Sequence, residues 1–327
     1  MALIDIHTHM FGNAWLDQLK RYGGVEYGSK TMHDQRDYLI ERGAPACALE
    51  VEAFDYDQRI RRMDEYAIDM AIVSLTSPNV FWGSPDVSVQ TARLANDEMH
   101  LGQTAYPDRI RFLASIPWEY PELALEELDR SLALGAVGVM VLGHINGHHL
   151  IDPLFEPIWS ELDRLAVPVL VHPTAPFGAK EAEFGIERIL MPGAGFMFDT
   201  TLGVARMVLD GFFERYQKVK IIVAHGGGYL PYVAGRLDMF FGVETLVDMK
   251  IIQAPSSYLE RIYYDSIVYD AGALDLCLNL AGPQNVMFGT DFPMPADISK
   301  LKKLVERLPK DQISAIKNGN AVTVFGL

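Results

Sequence analysis

Short apolar runs alternate with amphipathic stretches along this chain. The runs near Leu3–His7, Met70–Leu75, Ile110–Ile116, Val137–Leu142, Val167–Val171, Lys220–Ala224, Arg261–Ser266 and Val286–Gly289 are rich in β-branched residues or nearly continuous in apolar ones. Strands covered on both faces need such runs, because neither face meets water. Between them, Pro121–Leu134 lays leucines along one helical face. Pro153–Leu165 opens with Asp152 as a cap and a proline at the first helical position. Thr201–Tyr216 carries Val204, Val208 and Phe212 on one side. Eight strands with helices between them predict the α/β class and a (β/α)8 TIM barrel. Without a linker or an internal repeat, one domain over residues 1–327 is expected. Two intervals break the even spacing: residues 10–57, read as a cap or lid inserted after the first strand, and the Gly- and Pro-rich Pro173–Phe198. Long segments after strand ends are where barrels build walls over a site.

Composition narrows the function. Of 327 residues, 28 are Lys or Arg and 43 are Asp or Glu, a formal charge of −15. Such a surface repels phosphate backbones and anionic lipid, so neither nucleic acid nor a membrane is an expected partner. No apolar stretch approaches the ~20 residues of a membrane span. The start, Met1-Ala-Leu-Ile-Asp-Ile-His7, lacks the basic region and cleavage site of a secretory signal. Two cysteines, Cys47 and Cys277, are too few for a disulfide framework, and a reducing cytoplasm is the expected location.

The chemistry-bearing residues fall at strand ends. His7 and His9 close the first strand, His172 the fifth, His225 the sixth and Asp291 the eighth. In a barrel these ends share one mouth, and residues two apart on a strand point the same way. Three imidazoles and a carboxylate converging there suit a divalent ion. Each residue alone has a plainer reading: His-x-His occurs in ordinary strands, His172 could cap its own strand, Asp291 could cap a helix, and His225 could simply pack. Their joint placement favours the site. His144 and His149, in the loop after strand four, are weaker candidates for the mouth.

Ile-Asp-Ile-His7-Thr-His9, Val-His172-Pro, Ala-His225-Gly-Gly-Gly, Tyr-Asp265-Ser and Phe-Gly-Thr-Asp291-Phe-Pro together resemble the amidohydrolase superfamily. The resemblance is strongest to its decarboxylase branch, whose members act on aminocarboxymuconate semialdehyde, γ-resorcylate and 5-carboxyvanillate. It spans nearly the whole chain, including the Arg59-Ile-Arg-Arg-Met-Asp64 segment and Gly319-Asn320-Ala321. It implies one divalent ion, Zn²⁺ foremost and Mn²⁺ as the other choice, held by His7, His9, His172 and Asp291. It implies that His225 is a proton-transfer group and not a ligand, and it implies a homodimer or larger assembly; for the catalytic proton, His225 or Asp291 is the candidate. The bridging lysine of binuclear relatives is missing from Val139-Met-Val-Leu-Gly143. Two arginines that clamp a substrate carboxylate in the semialdehyde enzymes fall at Cys47 and near Gly242 here, with Arg36 and Arg42 as candidate substitutes. A glutamate of the γ-resorcylate type falls at Gly228.

The expected function is therefore a metal-dependent, non-oxidative decarboxylase of an aromatic or unsaturated carboxylic acid. A hydrolase of a lactone, amide or carbon–carbon bond on the same barrel is the alternative, and a non-catalytic binding protein a third reading. Phe11, Trp82, Phe177, Phe196 and Phe292 are candidate walls for a flat substrate ring.

Overall fold

The computed structural model describes residues 2–179, 181–184, 190–243, 250–294 and 297–327. Thirteen strands follow one another among these residues. They are β1 (Ile4–His9), β2 (Gly28–Thr31), β3 (Asp37–Glu41), β4 (Ala44–Ala48), β5 (Met70–Ser74), β6 (Ile110–Ala114), β7 (Gly138–Leu142), β8 (His144–Ile145), β9 (His148–His149), β10 (Pro168–His172), β11 (Lys220–Val223), β12 (Tyr263–Asp265) and β13 (Val286–Met287). Eight of them form one parallel sheet in the order β1-β5-β6-β7-β10-β11-β12-β13. The sheet closes on itself after β13: Phe288 O accepts from Ile6 N at 3.0 Å, and His7 O accepts from Asp291 N at 2.8 Å. The (β/α)8 barrel expected from the eight apolar runs is the observed fold.

Each barrel strand is buried along nearly its whole length, as its composition demands. Helices cover the outside: α1 (Asn13–Tyr22), α2 (Tyr56–Glu65), α3 (Pro85–Ala105), α4 (Pro121–Ala133), α5 (Glu156–Leu165) and α6 (Phe196–Leu209), with further helices to the C-terminal end. Asp152 accepts from Leu154 N at 2.9 Å and caps a short 3-10 turn, Pro153–Phe155, which hands over to α5. Trp118, Phe155, Trp159 and Phe212 pack ring to ring at 4.8–5.8 Å beneath it. Burying such a ring contributes roughly 1.5–3 kcal/mol by area.

Two details differ from the sequence pattern. The helix expected over Thr201–Tyr216 starts earlier and breaks at Gly211, where φ is +73° and the chain restarts as Phe212–Arg215. A left-handed residue ends an α-helix whatever the periodicity on either side of it. The insertion over residues 10–57 has structure of its own: α1, with Trp15 and Leu19 fully buried, and an antiparallel sheet β2-β3-β4. Among the described residues of its strands, the buried ones are Leu39 and the charged Glu41, so it gives almost no apolar alternation to read.

Candidate metal centre and active site

The ends of β1, β10 and the segments after β11 and β13 deliver His7, His9, His172, His225 and Asp291 to one place. The ring centroid of His7 lies 5.1 Å from those of His9, His172 and His225, and the rings of His9 and His172 are 4.8 Å apart. His7 Nε2 and His9 Nε2 are 3.2 Å apart, and Asp291 Oδ1 lies 3.4 Å from the first and 3.0 Å from the second. One donor atom from each of His7, His172, His225 and Asp291 falls within 4.8 Å of all the others.

The donor set fits a divalent ion. His7 donates Nδ1–H to Asp265 Oδ2 at 2.6 Å, His9 Nδ1–H faces Ser74 Oγ at 3.3 Å, and His172 donates Nδ1–H to Pro173 O at 2.8 Å. Placing the proton on each Nδ1, opposite Asp265, the Ser74 hydroxyl and Pro173 O, leaves three Nε2 lone pairs facing inward, the tautomer that metal-binding histidines need. A pair of nitrogens about 2.0–2.1 Å from one tetrahedral ion sits about 3.3 Å apart, close to the His7–His9 separation. Asp291 serves two sides: Oδ1 faces the imidazoles of β1, while Oδ2 lies 3.2 Å from His225 Nε2.

Electrostatics follow from burial. Burial opposes charge on Asp291, but the imidazoles of His225, His7 and His9 within hydrogen-bonding reach hold its carboxyl well below the usual carboxylate range. Burial likewise disfavours a charged His7, yet Asp265 and Asp291 outweigh it and raise this imidazole to about 10. Burial lowers His9 and His172, and neighbouring imidazoles add to the effect. Asp265 on one side of His7 and Asp291 on the other thus favour positive charge at this imidazole, a charge that a cation at Nε2 would supply in place of a second proton.

Local backbone explains the placement of His225 and Asp291. Both are left-handed, with φ of +54° and +62°. For a non-glycine residue this conformation costs on the order of 1 kcal/mol or more, and it persists where the surroundings over-determine it. Asp265 supplies that constraint for His225: it accepts from His225 N at 2.8 Å and Gly226 N at 2.9 Å while also holding His7. Asp265 stands in the Tyr-Asp-Ser motif without an assigned role in the sequence pattern; its place at the end of β12 was the available signal. At Gly228 φ is +60°, and an added Cβ would meet Met197 O at 2.5 Å, so no glutamate fits there.

The other candidates spread outward. Cys47, half-buried on β4, has its thiol pushed up to about 12 by burial, with the carboxylates of Glu41 and Asp291 adding to the rise. The cap sheet therefore lies within electrostatic reach of the centre. Glu41 Oε1 accepts from Ser77 Oγ at 2.6 Å and Thr174 Oγ1 at 2.8 Å, tying the cap to two barrel loops. Arg36 is exposed and paired with Asp34 and Glu50, a surface arginine. Arg42 sits exposed at the β3–β4 turn, within electrostatic reach of His144 and Asp199. His144 is buried and His149 half-buried, and the ring of Phe177 covers both, at 4.2 and 4.9 Å. Trp82 is half-buried and donates to Asn79 O at 2.9 Å; Phe196 is half-buried at the first turn of α6. Phe11 is buried and stacks on Trp15 at 5.5 Å, and Phe292 is buried under the Arg59 guanidinium at 4.3 Å.

The amidohydrolase family model matches residues 4–327. The chain belongs to the amidohydrolase family. It is 28% identical to a 2-amino-3-carboxymuconate-6-semialdehyde decarboxylase of Dictyostelium discoideum, over 99% of this chain and 91% of that one. The structure of 5-carboxyvanillate decarboxylase from Sphingomonas paucimobilis superposes with a TM-score of 0.86 at 26% identity, covering 100% of this chain and 99% of the other. A dihydroxybenzoic acid decarboxylase from Polaromonas sp. JS666, solved with manganese and the inhibitor 2-nitroresorcinol, superposes with a TM-score of 0.83 at 25% identity, covering 100% and 97%. These amidohydrolases are decarboxylases, the branch that the strand-end motifs resemble. No helix among the described residues is long and apolar enough to cross a membrane.

Proposed function

We propose that this amidohydrolase is a metal-dependent, non-oxidative decarboxylase of an aromatic carboxylic acid. The observation that carries the reading is the convergence of three imidazoles, each with a hydrogen-bonding partner at its Nδ1, on a carboxylate that also touches a fourth imidazole. The relatives' reactions favour carbon–carbon cleavage over the hydrolase alternative. His7, His9, His172 and Asp291 would hold the ion, and the manganese of the Polaromonas relative makes Mn²⁺ the first ion to test, with Zn²⁺ beside it.

When bound, the ion supplies Lewis-acid pull on the substrate carboxylate and a neighbouring oxygen. The chain's own residues orient the ring and move the proton. Loss of carbon dioxide breaks a carbon–carbon bond and leaves its electron pair on the ring carbon, which must gain a proton. His225, 3.2 Å from Asp291 Oδ2, is placed to hold that proton and pass it on. Trp82, Phe177 and Phe196 keep part of their surface open and suit stacking on a flat ring. Phe11 and Phe292, on this reading, shape the floor from beneath. A homodimer or larger assembly and a cytoplasmic location complete the proposal.

The test couples metal analysis to carbon dioxide release over a panel of hydroxybenzoates. His225→Asn is expected to lower kcat by about 10²–10⁴-fold with metal content retained. Loss of activity and metal together would make His225 a ligand. Acid production from lactones without carbon dioxide would move the chain to the hydrolase reading.

A further inference from the structure

Arg59, on α2, is 2% exposed, and among the described residues no carboxylate lies within ion-pair distance of it. A buried guanidinium without a paired anion is costly, so a fold that keeps one gains something specific from its five donors. Burial draws its pKa down to about 10, with the more distant Asp5 opposing. Its contacts show what the donors do. Nη1 donates to Thr8 Oγ1 at 2.8 Å, Nη2 to His9 O, and Nε to Met10 Sδ at 3.2 Å, while the guanidinium lies 4.3 Å above the ring of Phe292. Every partner is a neighbour in sequence of His7, His9 or Asp291, or belongs to His9 itself. The Thr8 hydroxyl passes the contact on, donating to Phe292 O at 2.8 Å. That carbonyl also accepts from His9 N at 2.6 Å. The two stretches so tied are the bulged end of β1, where pairing with β5 shifts between Asp5 and Thr8, and the left-handed turn at Asp291. The end of β1 pairs with β5 along its other edge, Thr8 against Val73 and His9 against Ser74, whereas the Asp291 turn lies beyond the end of β13 and has no strand pairing of its own.

We infer that Arg59 is a positioning residue for the metal centre: through Thr8, the His9 carbonyl and the Phe292 ring it clamps the end of β1 to the turn after β13. It thereby sets His9 against Asp291. Its contacts are the Thr8 hydroxyl, the His9 carbonyl, Met10 Sδ and the Phe292 ring, so it acts through the chain that carries the proposed ligands and not through their side chains. The inference rests on the metal-centre reading above.

Three variants test it. Thr8→Val removes the relaying hydroxyl at nearly constant volume; Arg59→Lys keeps the charge and loses the planar fork; Arg59→Met keeps only the apolar stem. Each is stripped of metal. Its melting temperature, its Mn²⁺ affinity by competition with a chromophoric chelator, and the absorption spectrum of the Co²⁺-loaded protein are then measured. Thr8→Val is expected to weaken Mn²⁺ binding by about 10–100-fold and to alter the Co²⁺ spectrum, while the stripped protein melts close to the parent. Arg59→Lys is expected to retain more affinity than Arg59→Met. Unchanged affinity and spectrum in Thr8→Val overturns the inference, as does affinity lost only in step with folded protein. A parent protein that binds no ion overturns the metal reading instead, so the two failures are distinguishable.

Discussion

Asp265 illustrates how much one side chain can settle. It is fully buried, accepts the Nδ1 proton of His7, and receives the backbone amides of His225, Gly226 and Ile267. Asp265→Asn keeps the volume and removes the negative charge facing His7. Metal affinity is expected to fall about 10–100-fold, read by chelator competition, with a smaller loss in Asp265→Glu only if the longer carboxylate still reaches Nδ1. A second residue-scale expectation concerns the thiols. Burial drives Cys47 up to about 12 and Cys277 higher still. Thiolate is the reactive form, so a thiol reagent at pH 8 should label neither cysteine quickly in the folded protein and both after denaturation. The histidines that the structure brings together were legible because an imidazole ending an apolar strand is hard to explain otherwise. Arg59 and Ser74 were not, since nothing in a linear pattern shows that an arginine on a helix or a serine on the second barrel strand faces a histidine.

At the scale of elements, the eight barrel strands stood out as apolar runs, whereas the cap sheet did not. Strands β2 to β4 bury one side against the barrel mouth through a few residues such as Leu39 and half-buried Cys47, so no alternation marks them. The junction of α6 with the loop after β10 carries a pH signature. Asp199 accepts from Thr174 N at 3.0 Å and lies 3.6 Å from His144. Gly143 leaves it room, since a Cβ there would come within 2.4 Å of Asp199 Oδ2. Burial raises Asp199 to about 7, above its unfolded value of 3.8. A carboxyl so shifted favours the folded state below the unfolded pKa, and that contribution is lost as pH rises through the folded one. Burial lowers His144 to about 4 from 6.5, which acts in the opposite sense: its contribution is present above 6.5 and lost as pH falls towards 4. Asp199→Asn keeps an acceptor for Thr174 N and removes the titration. Denaturant unfolding at pH 5 and pH 8 should show the variant gaining about 2–4 kcal/mol relative to the parent at the higher pH. An equal difference at both pH values would mean that Asp199 is ionised throughout.

For the whole molecule, the ion and the fold are linked. The proposed ligands from β1, from β10 and from the turn after β13 meet only in the native barrel, so an ion bound there stabilises the folded state alone. At a free concentration of 100 to 1,000 times Kd, this amounts to about 2.7–4.1 kcal/mol. Exhaustive chelation should therefore lower Tm, and adding Mn²⁺ should restore it in a concentration-dependent way. A Tm indifferent to chelator would mean that these side chains hold no ion. Charge patterning was informative at this scale for exclusion only: the −15 surface turns away polyanions and says nothing about which acid enters the mouth.

The seam where β1 meets the segment after β13 has a consequence for biosynthesis. His7 and His9 leave the ribosome about 280 residues before Asp291, an interval of tens of seconds at roughly 5–20 residues per second. Through that interval β1 has no neighbour on one edge, and the nascent chain can offer a passing cation only some of the side chains of the proposed site. Ion capture must therefore wait for translation to finish, which leaves the choice of metal to the finished protein and the cellular pool it meets.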